Sequence, residues 1–214
     1  MSSSEENGVI DRPRRGTREG TRERLLQAAI ELIRSGGIGA VSTVSVTQAA
    51  GFTQSSFYRH FRSVDECLIA AAEVVAAQVR SFIAEHRRQS YARGENDHFQ
   101  AVLQLFVRER EVSELLLRHR HDPSPLGRVL EQLHRQILDD LIADLWNLAQ
   151  WAGIGEEHRP RVALQAEFIL AGVMTAGETL LSGRVTDVDL LAEQLSLLTD
   201  AIAKETYVRY AKKE

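Results

Sequence analysis

Apolar residues recur every three or four positions along most of the chain and strict alternation is missing, so the pattern predicts helices and no sheet. From Thr21 to Ser35, Leu25, Leu26, Ala29, Leu32 and Ile33 fall on one face, and Gly36-Gly37 ends the run. Ser63-Val-Asp-Glu66 supplies a cap residue and an acidic first turn for a long helix, Asp65 to His86, whose apolar face carries Leu68, Ala72, Val75, Val79 and Phe82. Polar or Gly/Pro punctuation at 91–97, 121–125, 153–156 and 182–184 then separates helical patterns over Phe99–Arg108, Val112–Arg120, Leu126–Ala152, Pro160–Leu181 and Asp187–Lys213. Pro123 and Pro125 suit a helix stop and the first turn of the next helix. The expected class is all-α, with about nine helices.

Between the first helix and the long one, Val46-Thr-Gln-Ala-Ala-Gly51-Phe52-Thr-Gln-Ser-Ser-Phe57-Tyr58-Arg59-His60-Phe61 compresses two short helices around a glycine turn. Val46, Ala50, Phe52 and Phe57 supply the apolar contacts of a helix-turn-helix. Thr53 suits the N-cap of the second helix, and Gln54, Ser55, Ser56, Tyr58, Arg59, His60 and Arg62 are groups of the kind that meet base edges and phosphates in a major groove. Glutamine can pair bidentately with adenine, whereas Tyr58 and His60 suit phosphate or packing between helices. Ser42 and Thr43, at the start of the first short helix, suit a phosphate or simple capping.

Ala50-Gly51-Phe52-Thr53 and Phe57-Tyr58-Arg59-His60-Phe61, followed by Asp65, Glu66 and Leu68, resemble the TetR family of one-component bacterial transcriptional regulators, over roughly Thr17 to Leu68. The chain departs from the family pattern at Val64, where a lysine is usual, and at Thr47, where an alanine is common. Arg62 is the candidate to replace the lysine's phosphate contact. The resemblance implies a flexible basic arm (1–16), a three-helix helix-turn-helix DNA-binding domain (17–64) and a larger C-terminal helical domain for effector binding and dimerisation (65–214). It also implies a homodimeric repressor on an inverted-repeat double-stranded DNA operator, responding to a small lipophilic effector. The segments 56–66, Leu115-Leu-Leu-Arg118 and 203–210 further resemble the subgroup controlling unsaturated fatty acid synthesis, which implies long-chain acyl-CoA as effector, with Arg118, Arg120 or Arg128 meeting its phosphates.

Charge is unevenly divided. Residues 1–62 hold nine arginines against six acidic residues, a balance of +3 in a chain whose total is −4, so local positive charge for phosphate lies in the N-terminal third. Arg14 and Arg15, just ahead of the first helix, suit a minor-groove or backbone arm, or a solvated tail. No uninterrupted apolar run reaches bilayer length and the N-terminus lacks a signal-peptide core, so a cytoplasmic protein without membrane insertion is expected. Cys67 is the single cysteine, which excludes an internal disulfide, and buried packing is its expected role.

Leu191, Leu195, Leu198 and Ile202 stripe the last helix, while Phe168, Val173, Gly172 and Gly177 mark the one before it. These are the expected dimerisation residues, by analogy with the four-helix bundle of TetR-like proteins. Phe99, Leu103, Phe106, Leu116, Leu130, His134, Trp146, Phe168 and Met174 are the candidates to line an effector cavity, each with ordinary core packing as the alternative.

No dinucleotide fingerprint, phosphate loop or nucleophile elbow is present, and His119-Arg-His121-Asp122 lacks the partners of a metal or acid-base site. No catalytic residue, metal or cofactor is therefore expected. The alternative to a DNA-binding regulator is a helical protein-interaction module without sequence-specific DNA binding.

Overall fold

The computed structural model describes residues 18–93 and 98–211. The arm containing Arg14 and Arg15 lies outside them. Nine α-helices and two single 3₁₀ turns account for the described architecture, which is all-α. The helices are α1 (Arg18–Gly36), α2 (Thr43–Ala50), α3 (Gln54–Tyr58), α4 (Val64–Arg93), α5 (His98–Arg108), α6 (Arg110–His119), α7 (Pro125–Trp151), α8 (Arg159–Leu181) and α9 (Val188–Tyr210).

Local chemistry sets the N-terminal boundaries. Ser42 caps α2 in a reciprocal capping box with Ser45, and Gly51 closes it in the left-handed conformation at φ 71°. Thr53 caps α3 by accepting from the Ser56 amide. Leu25, Val46, Phe57 and Cys67 are fully buried and Phe61 nearly so, joining α1, α2, α3 and the start of α4 in one core. This core continues through Ala71 and Val75, so the packing unit extends along α4 past residue 64. Thr47 is buried among these apolar groups and returns its hydroxyl to the Thr43 carbonyl at 2.7 Å.

α4 runs to Arg93, seven residues beyond the expected end at His86, because its last turns find partners on α7. Arg80 makes a two-pronged contact with Asp140 at 2.7 and 2.8 Å, and Arg87, itself buried, pairs with Asp144 at 2.6 Å. By length and composition alone α4 is also apolar enough to cross a bilayer, although charged and polar residues interrupt its apolar runs. In the fold, its Cys67, Ala71 and Val75 belong to the N-terminal core, while Ala76, Val79 and Ile83 pack on the C-terminal one.

α5, α7, α8 and α9 build the C-terminal core from Phe99, Leu103, Leu133, Ile169, Leu180 and Leu195 among others. Gly177 permits close helix approach: a Cβ there would fall 2.5 Å from the Phe106 ring. A smaller cluster of Trp146, Ala149, Ile154 and Val162 fastens the end of α7 to α8, beside a single antiparallel bridge between Ile154 and Ala211.

Candidate functional site

The outward surface of α3 and the start of α2 form one polar face. Gln54, Ser55, Tyr58, Arg59 and Arg62 are exposed, Ser56 and His60 are half-buried, and Phe57 and Phe61 anchor the segment from beneath. The Tyr58 hydroxyl, 3.4 Å from Thr43 Oγ1, links α3 to the start of α2, so Tyr58 projects outward and bridges the two helices together. Ser42 is exposed but its hydroxyl is engaged in the capping box, and Thr53 is engaged at the cap of α3. Arg62 is exposed, and its backbone amide donates to Glu66 at 2.6 Å. Val64, at the usual lysine position, packs against the N-terminal core instead of presenting a charge.

Three α1 arginines that sequence reading entered only in the charge balance converge on this unit. Arg24 donates to the Ala50 carbonyl at 2.9 Å and lies 4.6 Å over the Phe52 ring, clamping both sides of the Gly51 turn. Arg22 covers the Phe61 ring at 5.2 Å. Burial first, then Arg18, Arg22 and Arg59, hold His60 below the ordinary imidazole value, so it is a neutral hydrogen-bonding group in a positive field at neutral pH. Nothing in the spacing of α1 distinguishes Arg24 from its neighbours; its role depends on the tertiary approach of α1 to the turn. Cys67 is fully buried and its thiol is pushed up to about 11 by burial, which leaves it packed and protonated.

A narrow cavity of about 80 Å³ lies where the two cores meet. Its wall is almost entirely apolar, with Ile33 and Ile38 from the N-terminal unit, Leu68, Val75 and Val79 from α4, and Phe106, Leu116, Leu130 and Met174 from the C-terminal helices. The last four were expected there. Phe99 and Leu103 instead fill the core behind the wall, and Trp146 belongs to the cluster at the far end of α7. Phe168 points away and is 61% exposed. His134 is turned toward Arg120, 2.9 Å away, and burial first, then Arg120, lowers its pKa. The wall residues of α4 were missed because its periodicity reads equally well as ordinary core.

Of the residues expected at a dimer surface, Phe168 and Leu198 are exposed, Leu191 and Ile202 are half-buried, and Val173, Gly177 and Leu195 are buried within the chain. Gly172 faces α9, where a Cβ would sit 3.2 Å from Leu195, so this glycine serves the α8–α9 contact inside one chain. Leu164, Leu190 and Leu197 join the exposed apolar set.

The N-terminal unit and the cavity are mechanically joined. Arg34 Nε lies 2.9 Å from Glu109, a cavity-wall residue between α5 and α6, and Val112 and Leu115 of α6 pack on the N-terminal core. Arg110 donates to the Leu181 carbonyl at 2.7 Å, tying α6 to the end of α8. Arg118 is engaged by Glu114 at 3.1 Å, whereas Arg128 donates to a backbone carbonyl, that of Pro123, at 3.2 Å. Among the described residues no cluster of three or more metal-ligating side chains occurs, and His119 is paired with Asp122 at 2.7 Å.

Residues 25–71 match the profile of the bacterial regulatory proteins, tetR family. A Rhodococcus transcriptional regulator shares 22% identity with a TM-score of 0.64, covering 86% of this chain and 96% of its own. A TetR-family regulator structure from Mesorhizobium loti reaches a TM-score of 0.70 at 15% identity, covering 89% and 98%. The transcriptional regulator FadR of Bacillus subtilis, crystallised in complex with stearoyl-CoA, has 17% identity and a TM-score of 0.61, covering 83% and 96%.

Proposed function

On the premise that this chain is a TetR family DNA-binding transcriptional regulator, we propose that it is a cytoplasmic repressor that binds an inverted-repeat operator as a homodimer and releases it on binding a small lipophilic effector. The observation that carries this reading is the polar face of α3, Gln54, Ser55 and Arg59, held outward by a fully buried Phe57. Arg14, Arg15, Arg18 and Arg22 add phosphate-seeking charge in the N-terminal part of the chain.

Dimerisation is supported by the exposed apolar groups of α8 and α9, Leu164, Phe168, Leu197 and Leu198, which exceed the isolated apolar residues usual on a surface. The effector reading rests on the apolar cavity. At about 80 Å³ it is far below the ~300–1,000 Å³ of small-molecule sites, so admitting an effector requires α4, α6 and α7 to separate. Both α4 and α6 bear directly on the N-terminal unit, and their separation changes the spacing of two recognition helices in a dimer. The coupling needed for a useful switch is roughly 1–3 kcal/mol and acts reciprocally on effector and DNA affinity. Acyl-CoA is the proposed effector class, in keeping with the ligand of the B. subtilis neighbour. No enzymatic step is assigned.

Selection from random duplex DNA at near-physiological salt tests the reading: enrichment of an inverted repeat is expected, and no enrichment at either normal or low salt would favour a protein-interaction module. With that operator, Arg59→Ala is expected to weaken binding and to leave the folded state and oligomeric mass unchanged. An unaltered affinity and salt slope would remove Arg59 from the contact surface.

A further inference from the structure

Val44, on the first turn of α2, is an apolar side chain for which the fold provides no use. It is 48% exposed and belongs to neither core, whereas Val46, two residues on, is fully buried. Thr47 and Ala50 are buried with Val46, so one side of α2 is spent on the N-terminal core. Val44 lies on the other side, one turn ahead of the exposed Gln48. The polar groups beside Val44 are already occupied. The Ser42 hydroxyl accepts from the Ser45 amide at 3.0 Å, and the Ser45 hydroxyl donates to the Ala40 carbonyl at 2.8 Å. Thr43 Oγ1 lies 3.4 Å from the Tyr58 hydroxyl, which sets the start of α2 beside the outward face of α3. What α2 offers outward at this level is therefore an aliphatic group, with neither a hydroxyl nor a charge.

A valine has no donor or acceptor, so it can pair neither with a phosphate nor with the polar edge of a base. Among the groups that distinguish base pairs in the major groove, the 5-methyl of thymine is the apolar one. A single apolar spot beside the polar side chains Gln54, Ser55, Tyr58 and Arg59 is complementary to that methyl and to no other base-edge group. We infer that Val44 is a specificity residue that reads a thymine 5-methyl in each half-site, beside the base pairs met by α3. This rests on the DNA-contact face proposed for α3 and deepens it, by adding a base-reading position outside the recognition helix.

The test uses the full chain and the operator recovered by selection from random duplex DNA. Each thymine of a half-site is replaced in turn by deoxyuridine, which lacks only the methyl, and affinity is measured at constant salt. At one position the replacement is expected to weaken binding about fourfold, and about fifteenfold when made in both half-sites, the worth of burying one and two methyl-sized groups. Val44→Ala should lose a similar amount of operator affinity and become indifferent to uracil at that position. Its salt slope and its affinity for random DNA should not change, because valine neutralises no phosphate. Gln48→Ala should keep the uracil penalty. A penalty that persists undiminished in Val44→Ala assigns the effect to DNA shape and overturns the contact. An operator in which no thymine is penalised overturns it as well. A Val44→Ala variant that binds operator and random DNA equally poorly also overturns it, in favour of a structural role for Val44. Failure to enrich any operator overturns the DNA-contact face itself, and the thymine contact with it.

Discussion

The two cores of this chain are packed to different standards. In the N-terminal core Leu25, Ala29, Val46, Phe57, Cys67 and Ala71 have no exposed surface, whereas in the C-terminal core only Leu103 and Ala166 reach that state among the described residues. The C-terminal helices are longer, yet they leave a cavity against α4 and α6. A helix of only five residues, such as α3, makes few internal hydrogen bonds and depends on tight packing for its orientation. On the proposed effector reading the C-terminal helices must part, and a loosely filled junction lowers the energy needed to open them.

Removing buried volume from each core is the strongest way to break the comparison. Phe57→Ala is expected to cost ~3–5 kcal/mol in chemical denaturation. It should also accelerate labelling of Cys67, whose buried and protonated thiol is otherwise accessible only when the N-terminal unit opens. Leu116→Ala, on the cavity wall and already half-exposed, is expected to cost about 1 kcal/mol or less, since less contact is lost. Equal costs would remove the distinction between the cores.

Gly51→Ala sharpens it at the level of the backbone. A Cβ at Gly51 meets nothing closer than Arg24 Nη2 at 3.7 Å, so the penalty comes from the left-handed φ alone, about 1–2 kcal/mol in the denaturation midpoint. A neutral result would mean that the turn relaxes, and with it the rigidity ascribed to the helix-turn-helix.

The junction itself is tested by Arg34→Ala, which removes the contact to Glu109. Both side chains are partly exposed, so stability should fall by ~0.2–1 kcal/mol. The effector-induced change in operator affinity should shrink more noticeably. Unchanged coupling would shift the link to Val112 and Leu115.

The smallest expected effect is acid sensitivity within the C-terminal half. Hydrogen bonding to Arg80 holds the Asp140 carboxyl below its ordinary value against the opposing effect of burial. Its contribution to stability is present above the unfolded carboxyl's value of ~3.9 and disappears as pH falls through the lower folded value. Asp140→Asn should therefore lower the urea midpoint at pH 7, and the difference from the unmodified protein should shrink as pH falls below the ordinary carboxyl value. A pH-independent difference would assign the contact to packing.

Helix after helix was legible in the chain because apolar spacing and caps are local properties: Gly51, Thr53 and the Pro123–Pro125 turn fix their own surroundings whatever packs on them. The residue types on the outer face of α3 were equally legible, since apolar Phe57 marks the inward side and leaves Gln54, Ser55 and Tyr58 outward. What periodicity does not encode is which neighbour an apolar stripe meets. The α9 stripe held both inward Leu195 and outward Leu198, and the cavity candidates mixed wall residues such as Leu116 with core residues such as Leu103. The extra turns of α4, the clamp of Arg24 on the Gly51 turn and the turning of Arg120 toward His134 likewise depend on groups 14 to 57 residues away. The sequence by itself determined the helices, their caps and the polar character of the outer face of α3, because these follow from contacts within a few residues. Only the tertiary structure decided which apolar residues face a cavity, an open surface or a filled core, because that depends on how separate helices approach one another.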